Sequence, residues 1–117
     1  MATLRLSERD EIWWPVTMEQ PRSDGSGRSD KLRFEVRFWP IYADAVGQLE
    51  PPDGMTEDER IRYRLERLAE RVLDWRGDDV EIECTPETVY AALTRPWFQD
   101  GIMRALAEIS KGGRAKN

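Results

Sequence analysis

The sequence contains no histidine and a single cysteine, Cys84. The first absence removes the commonest general base and metal ligand. The second excludes an internal disulfide, suits a reducing cytoplasm and would leave a nucleophilic thiol without its usual imidazole partner. Long hydrophobic runs are missing too, with nothing near the roughly 20 apolar residues that cross a bilayer. Glu8, Asp10 and Glu11 interrupt the first twenty residues, so no secretory leader is expected. Basic charge is in deficit, 18 Lys+Arg against 23 Asp+Glu for a net charge of −5, which makes nucleic acid a poor partner. Gly25-Ser26-Gly27 lacks the spacing, the lysine and the following helix of a phosphate-binding loop. Asp78, Asp79, Glu81 and Glu83 lack the alternating ligands and closing glutamate of a calcium loop, and read as a solvated acidic link. The expectation is a non-enzymatic protein with no catalytic residues, cofactor or metal and no membrane span.

What is present suits one α+β domain over residues 1–117, with 39% apolar and 35% charged residues and five tryptophans. Trp14, Val16 and Met18 alternate with Trp13, Pro15 and Thr17 over residues 12–19, a strand pattern. Pro15 cannot donate to a ladder, so that strand belongs at an edge or is bulged there. The Gly/Ser/Asp-rich segment 21–30 reads as a loop. Leu32, Phe34, Val36 and Phe38 then alternate with Arg33, Glu35, Arg37 and Trp39, the clearest strand in the chain. Together these predict an N-terminal antiparallel β-hairpin over about 12–39. A helical part of three to four helices over about 42–110 packs on its apolar face, and a basic tail closes the chain at 111–117.

In the helical part, a short helix is expected over 42–49. Thr56 with Glu59 matches a capping box, and predicts a helix from 57 to about 76 that stops at Gly77. Ile61, Leu65, Leu68, Val72 and Trp75, spaced 4, 3, 4 and 3, would form its apolar face. Arg60, Arg64, Arg67 and Arg71 would line one flank and Glu59, Glu66 and Glu70 the other. Two readings stay open: a core-facing helix with a solvated charged back, or a helix that also meets a partner through its sorted flanks. Val80, Ile82 and Cys84 alternate as a short strand or extended link, with Cys84 a small buried side chain. Thr85-Pro86 starts a helix reaching about Thr94. Pro96 kinks that helix or starts the last one, which carries Trp97, Phe98, Ile102, Leu106 and Ile109. Trp97 and Phe98, adjacent and about 100° apart on a helix, cannot share one narrow seam. With Tyr90 nearby, one of these rings is expected near the surface as a partner anchor. The expected core includes Phe34, Val36, Phe38, Leu65, Leu68, Val72 and Trp75.

Several segments, in order, resemble the tail assembly chaperones of long-tailed bacteriophages (siphophages). They are Trp13-Trp14-Pro15-Val16-Thr17, then Phe34-Glu35-Val36-Arg37-Phe38, Val72-Leu73-Asp74-Trp75-Arg76-Gly77, Thr85-Pro86-Glu87, Pro96-Trp97, and Ile102 to Ile109. The resemblance covers most of residues 12–110. The link after Gly77 is shorter than the family's and lacks its glycine turn. The resemblance implies a non-catalytic, host-cytoplasmic protein that keeps the aggregation-prone tape measure protein soluble before the tail tube polymerises around it. It implies self-association and absence from the finished virion. In many such phages a translational frameshift makes a longer form whose added domain engages the tail tube protein. Two rivals remain on sequence alone: a virion structural or head–tail completion protein, and a small DNA-binding regulator using the arginine stripe. The acidic balance argues against the second.

Overall fold

The computed structural model describes residues 3–4, 11–41 and 49–112. The expected short helix near 42–49 falls almost wholly outside them, as does most of the basic tail at 111–117. Strands β1 (Ile12–Pro21) and β2 (Ser29–Phe38) form the expected hairpin, antiparallel throughout, with Val16 opposite Phe34 and Trp14 opposite Val36. The connecting loop is cross-braced by an Arg22 N–H to Arg28 carbonyl bond of 2.9 Å and an Arg22–Asp30 ion pair of 2.9 Å. β1 is an edge strand, where Pro15 removes no ladder donor from a central position.

Helix α1 (Glu57–Ala69) begins at the predicted capping box: the Glu59 N–H donates to Thr56 Oγ1 at 3.2 Å, and the Thr56 N–H donates to Glu59 Oε1 at 2.9 Å. It does not run to 76. It ends one turn after Leu65, and residues Val72–Arg76 form a third strand, β3, antiparallel to β2, giving sheet order β1-β2-β3. The helical part expected over 42–110 is thus interrupted by a strand.

The pairing explains how the strand escaped a periodicity argument. Arg37 faces Asp74 but Phe38 faces Val72, so Leu73 is an extra residue on β3. In a regular strand, residues 72 and 75 would point to opposite faces. The bulge at Leu73 turns both Val72 and Trp75 inward, where they are buried. A bulged strand therefore reproduces the 4-and-3 spacing of a helix face. Ile61, the expected first residue of that face, is 47% exposed. Gly77, expected as a helix stop, has φ +138° and lies against β2: a Cβ there would sit 3.0 Å from Phe34 Cβ and 3.2 Å from its Cα.

Helix α2 (Pro86–Leu93) starts at Thr85, whose hydroxyl accepts from the Thr88 N–H at 3.2 Å. Pro96 starts helix α3 (Pro96–Ser110) rather than kinking α2. α3 lies on β1, where Gly101 lets it approach: a Cβ there would meet Met18 Cβ at 3.2 Å and the Thr17 carbonyl at 3.4 Å. Trp14 Nε1 donates to Glu108 Oε1 at 2.9 Å across the same contact. The segment 78–84 forms no strand. It passes beneath Trp75, whose Nε1 donates to the Ile82 carbonyl at 2.6 Å, leaving the Ile82 side chain 65% exposed and Val80 and Cys84 half-buried.

One cluster joins the two layers. It contains Phe34, Val36, Phe38, Leu65, Leu68, Val72 and Trp75, together with Val16, Met18, Val89, Leu93, Phe98, Ile102 and Leu106. Trp75 is 8% exposed, meets Phe98 edge-on with ring centroids 6.0 Å apart, and holds the link through its indole N–H. Trp75→Ala is expected to cost about 3–5 kcal/mol, as for large core deletions. Urea denaturation of wild type and mutant measures it, and an unchanged midpoint would refute a core role.

Candidate partner-binding cleft

The turn from α1 into β3 has a local cause. Arg71, in that turn, is 5% exposed. Its Nη1 donates to the Pro40 carbonyl at 3.1 Å, its guanidinium lies 4.3 Å from the Trp39 ring centroid, and its own carbonyl accepts from the Trp39 N–H at 2.9 Å. These contacts pin the end of α1 to the end of β2, and β3 must then run back along β2. α2 packs against α1 from the other side. Between the end of α1, the start of β3 and the start of α2 a cleft of about 490 Å³ remains open.

Its apolar lining comes from Ala69, Val72, Leu73, Val89 and Tyr90, with Cys84, Thr85 and Pro86 at the α2 end. Leu73, the bulged residue, is only half-buried and turns away from the core that holds Val72 and Trp75. The Thr85 hydroxyl is committed to capping α2. Burial, followed by the nearby Asp74 carboxylate, pushes the Cys84 thiol up from 9.0 to about 11, so near neutral pH it is a weakly polar wall rather than a charge. Charge sits at the mouth, on Glu66, Arg67 and Glu70 of α1. Arg67 Nε faces Glu70 Oε1 at 2.6 Å, an ion pair whose direction falls outside hydrogen-bonding geometry, and Arg67 also lies 5.0 Å over the Tyr63 ring.

The expected partner residues do not converge on one surface. Glu66, Arg67 and Glu70 reach the cleft. Glu59 is spent on the capping box, where first the Thr56 backbone N–H and then its hydroxyl hold its pKa below the ordinary value. Arg60, in the first half of α1, is half-buried, and Arg64, near its middle, is exposed; neither lines the cleft. Arg71 is not part of an exposed arginine flank, because the helix has ended and the side chain turns into the Trp39–Pro40 corner. Phe98 is no surface anchor either: it is 6% exposed, between the rings of Phe34, Trp75 and Trp97. Trp97 is half-buried and lines a separate, polar hollow with Lys31, Asp100 and Arg104. Sequence reasoning missed Leu73, Val89 and Pro86. The available signals were an apolar Leu73 lying off the supposed helix face and Tyr90, one of the rings of which one was expected near the surface.

On the far side of the sheet, Arg76 lies 3.8 Å over the Trp13 ring and pairs with Glu35 at 2.9 Å, and Arg37 pairs with Glu11. Among the described residues no group of three acidic or cysteine side chains could hold a metal ion, and no helix is long and apolar enough to cross a membrane. Comparison with protein-family models, with characterised proteins and with solved structures finds no match.

Two outcomes follow from these placements. Arg64→Glu should leave stability within about 0.5 kcal/mol of wild type, as for exposed substitutions, whereas Arg71→Glu should cost at least about 3 kcal/mol by stranding a charge in a filled corner. Denaturant titration of both separates a helix flank from a buried clamp. For Cys84, the folded pKa exceeds the unfolded value, so its contribution is intact below pH 9.0 and is lost as pH climbs through about 11. Alkylation of the native protein should keep accelerating beyond pH 9.0. A plateau near pH 9.0 would mean the thiol lies open to water.

Proposed function

We propose that this protein is a phage tail assembly chaperone, a non-enzymatic binding protein that holds the tape measure protein soluble until the tail tube encloses it. The observation that carries the reading is the apolar, charge-rimmed cleft beside α1. A holdase needs apolar surface left uncovered by its own core, with charge around it to keep the free protein in solution. Leu73 and Tyr90 supply such surface, and Glu66 and Glu70 supply the rim. The family resemblance adds support from a different direction. Its segments fall on β1, β2, β3 with Gly77, the cap of α2, and the first turn and body of α3.

On this reading the protein acts in the host cytoplasm, associates with itself as well as with its client, and leaves before the virion is complete. A longer frameshifted form would carry the contact to the tail tube protein. Charged flanks on the exposed part of α1, Arg64 among them, are suited to setting register between copies more than to raw affinity.

Co-expression with the tape measure protein of the same phage tests the reading. The client should move from the pellet to the soluble fraction and co-purify with this chain, while mass spectrometry of purified virions should not find the chain. A client that stays insoluble with this protein in excess, or a chain abundant in virions, would favour a structural role in the particle.

A further inference from the structure

β2 is longer than the strand that covers its second edge. Pro15 and Pro21 of β1 stand opposite Glu35 and Ser29. Proline has no N–H to give, so these are non-hydrogen-bonded pairs, and the odd-numbered residues of β2 turn their N–H and C=O groups away from β1. Two bonds on that side agree: the Trp39 N–H donates to the Arg71 carbonyl at 2.9 Å, and the Arg33 N–H donates to Asp79 Oδ2 at 2.8 Å. Pairing with β3, however, stops at Glu35 opposite Arg76. Past the Asp79 carboxylate the edge is open. Among the described residues no strand or side chain takes up the outward N–H and C=O of Lys31 or Ser29, and both residues are exposed. The other edge of the same hairpin is guarded. Pro15 and Pro21 leave β1 without a donor at those outward positions, and Arg104 Nη1 donates to the outward Thr17 carbonyl at 3.3 Å.

The side chains along the open edge define what it takes. Lys31 and Arg33 lie on the sheet face away from the helices, opposite in direction to buried Phe34 and Val36. Both are exposed, and neither forms an ion pair among the described residues. The nearby acids do not neutralise them. Asp30 pairs with Arg22, Glu35 pairs with Arg76, Asp79 is spent on the Arg33 N–H, and Glu19, opposite Lys31 on β1, makes no ion pair with it. Between the two cations Leu32 turns to the other face, half-buried against the core. This pattern disfavours a second copy: two such edges paired antiparallel about Lys31 would set Lys31 against Lys31. An acidic strand meets the opposite field, and Asp79 shows a carboxylate already seated on this edge.

We infer that the open edge of β2 at 29–33 is a second binding site, which takes an extended segment of a partner protein as an added antiparallel strand, acidic residues alternating with apolar ones. An acidic residue of that segment lies opposite Lys31, exchanges both backbone hydrogen bonds with it, and has Arg33 within diagonal reach. The apolar neighbour covers Leu32. Backbone bonds supply the affinity and the alternate side chains the specificity. None of these residues lines the cleft beside α1, so the inference goes beyond the chaperone reading and stands or falls apart from it.

The test is fluorescence anisotropy of labelled peptides of about eight residues, within the usual range of strand lengths, titrated with the full chain. One peptide alternates glutamate with valine, and a second alternates lysine with valine. The glutamate peptide should bind at least about tenfold more tightly, with the gap narrowing as salt is added. Methylating the amide nitrogens of its glutamates removes the donors that face Lys31 and should abolish binding, whereas methylating those of its valines, which turn away, should not. Any other pattern overturns the inference, because a contact made by charge alone would ignore which amides are blocked. Lys31→Pro should weaken binding at least about tenfold, since it takes a donor from an outward position like those that Pro15 and Pro21 occupy on β1. Far-UV circular dichroism checks that this variant folds. Lys31→Glu stands in if it does not, and should shift the preference to the lysine peptide. Binding unchanged by the substitution overturns the inference. So does peptide binding that is lost as the protein's own concentration rises, which would put a second copy on the edge. A chain that keeps the tape measure protein soluble but ignores the glutamate peptide sinks this inference and leaves the chaperone role standing. Edge-selective peptide binding in a chain that captures no client does the opposite.

Discussion

The ring of Phe98 is the contact through which the layers of this small structure meet. It stacks on Phe34 of β2 at 6.3 Å and takes Trp75 of β3 and Trp97 of its own helix edge-on, each at 6.0 Å. Three elements far apart in sequence therefore converge on one side chain in the first turn of α3. Pro96 sets where that turn begins, since the helix has no side-chain cap and proline at its start loses no intrahelical bond. Shifting the start of α3 by one residue would rotate Phe98 about 100° out of the aromatic cluster. The same shift would take Gly101 away from Met18, where the missing Cβ lets the helix lie close to β1.

The cleft is a by-product of how the chain leaves α1. A helix continuing to Trp75 would have laid its apolar face over the sheet and left nothing open. Instead Arg71 swings into the Trp39–Pro40 corner, and the chain returns along β2 as a short strand with one extra residue. A bulge lets a strand present neighbouring residues in directions that a regular pleat forbids. Here Val72 and Trp75 go to the core and Leu73 to the cleft. The same irregularity completes the core and supplies apolar surface beyond it.

The hairpin was legible because a one-sided strand declares itself by alternation, and Leu32 to Phe38 alternate without a break. The capping box of Thr56 with Glu59 and the N-cap Thr85 before Pro86 were legible because such signals act over a few neighbouring residues, whereas the part of Thr88 in a second box was not read. The end of α1 was not. Val72 and Trp75 fit a helix face and a bulged strand equally well by spacing, and only the tertiary demand of β2 for a neighbour decides between them. A bare β2 would have offered its second edge to another chain. Val, Leu and Trp in close succession suited a strand on propensity, a weaker signal than the periodicity it contradicted. The cleft was legible only in fragments, since its lining comes from three elements and the link between them.

The charge pattern on α1 changes meaning once the helix is cut short. Over residues 57–76 the arginines and glutamates sort into two long flanks. Over Glu57–Ala69 the sorting splits by position along the axis. Glu57, Asp58 and Glu59 gather in the first turn, where the helix dipole and the cap favour them. Glu66 and Glu70 lie at the other end, where the dipole disfavours acids. Arg67 offsets that cost locally through its ion pair with Glu70. An isolated helix would gain by placing basic residues at those two positions instead. Acids kept where helix stability argues against them, beside an apolar trough, fit a surface shaped by what it meets rather than by the helix that carries it.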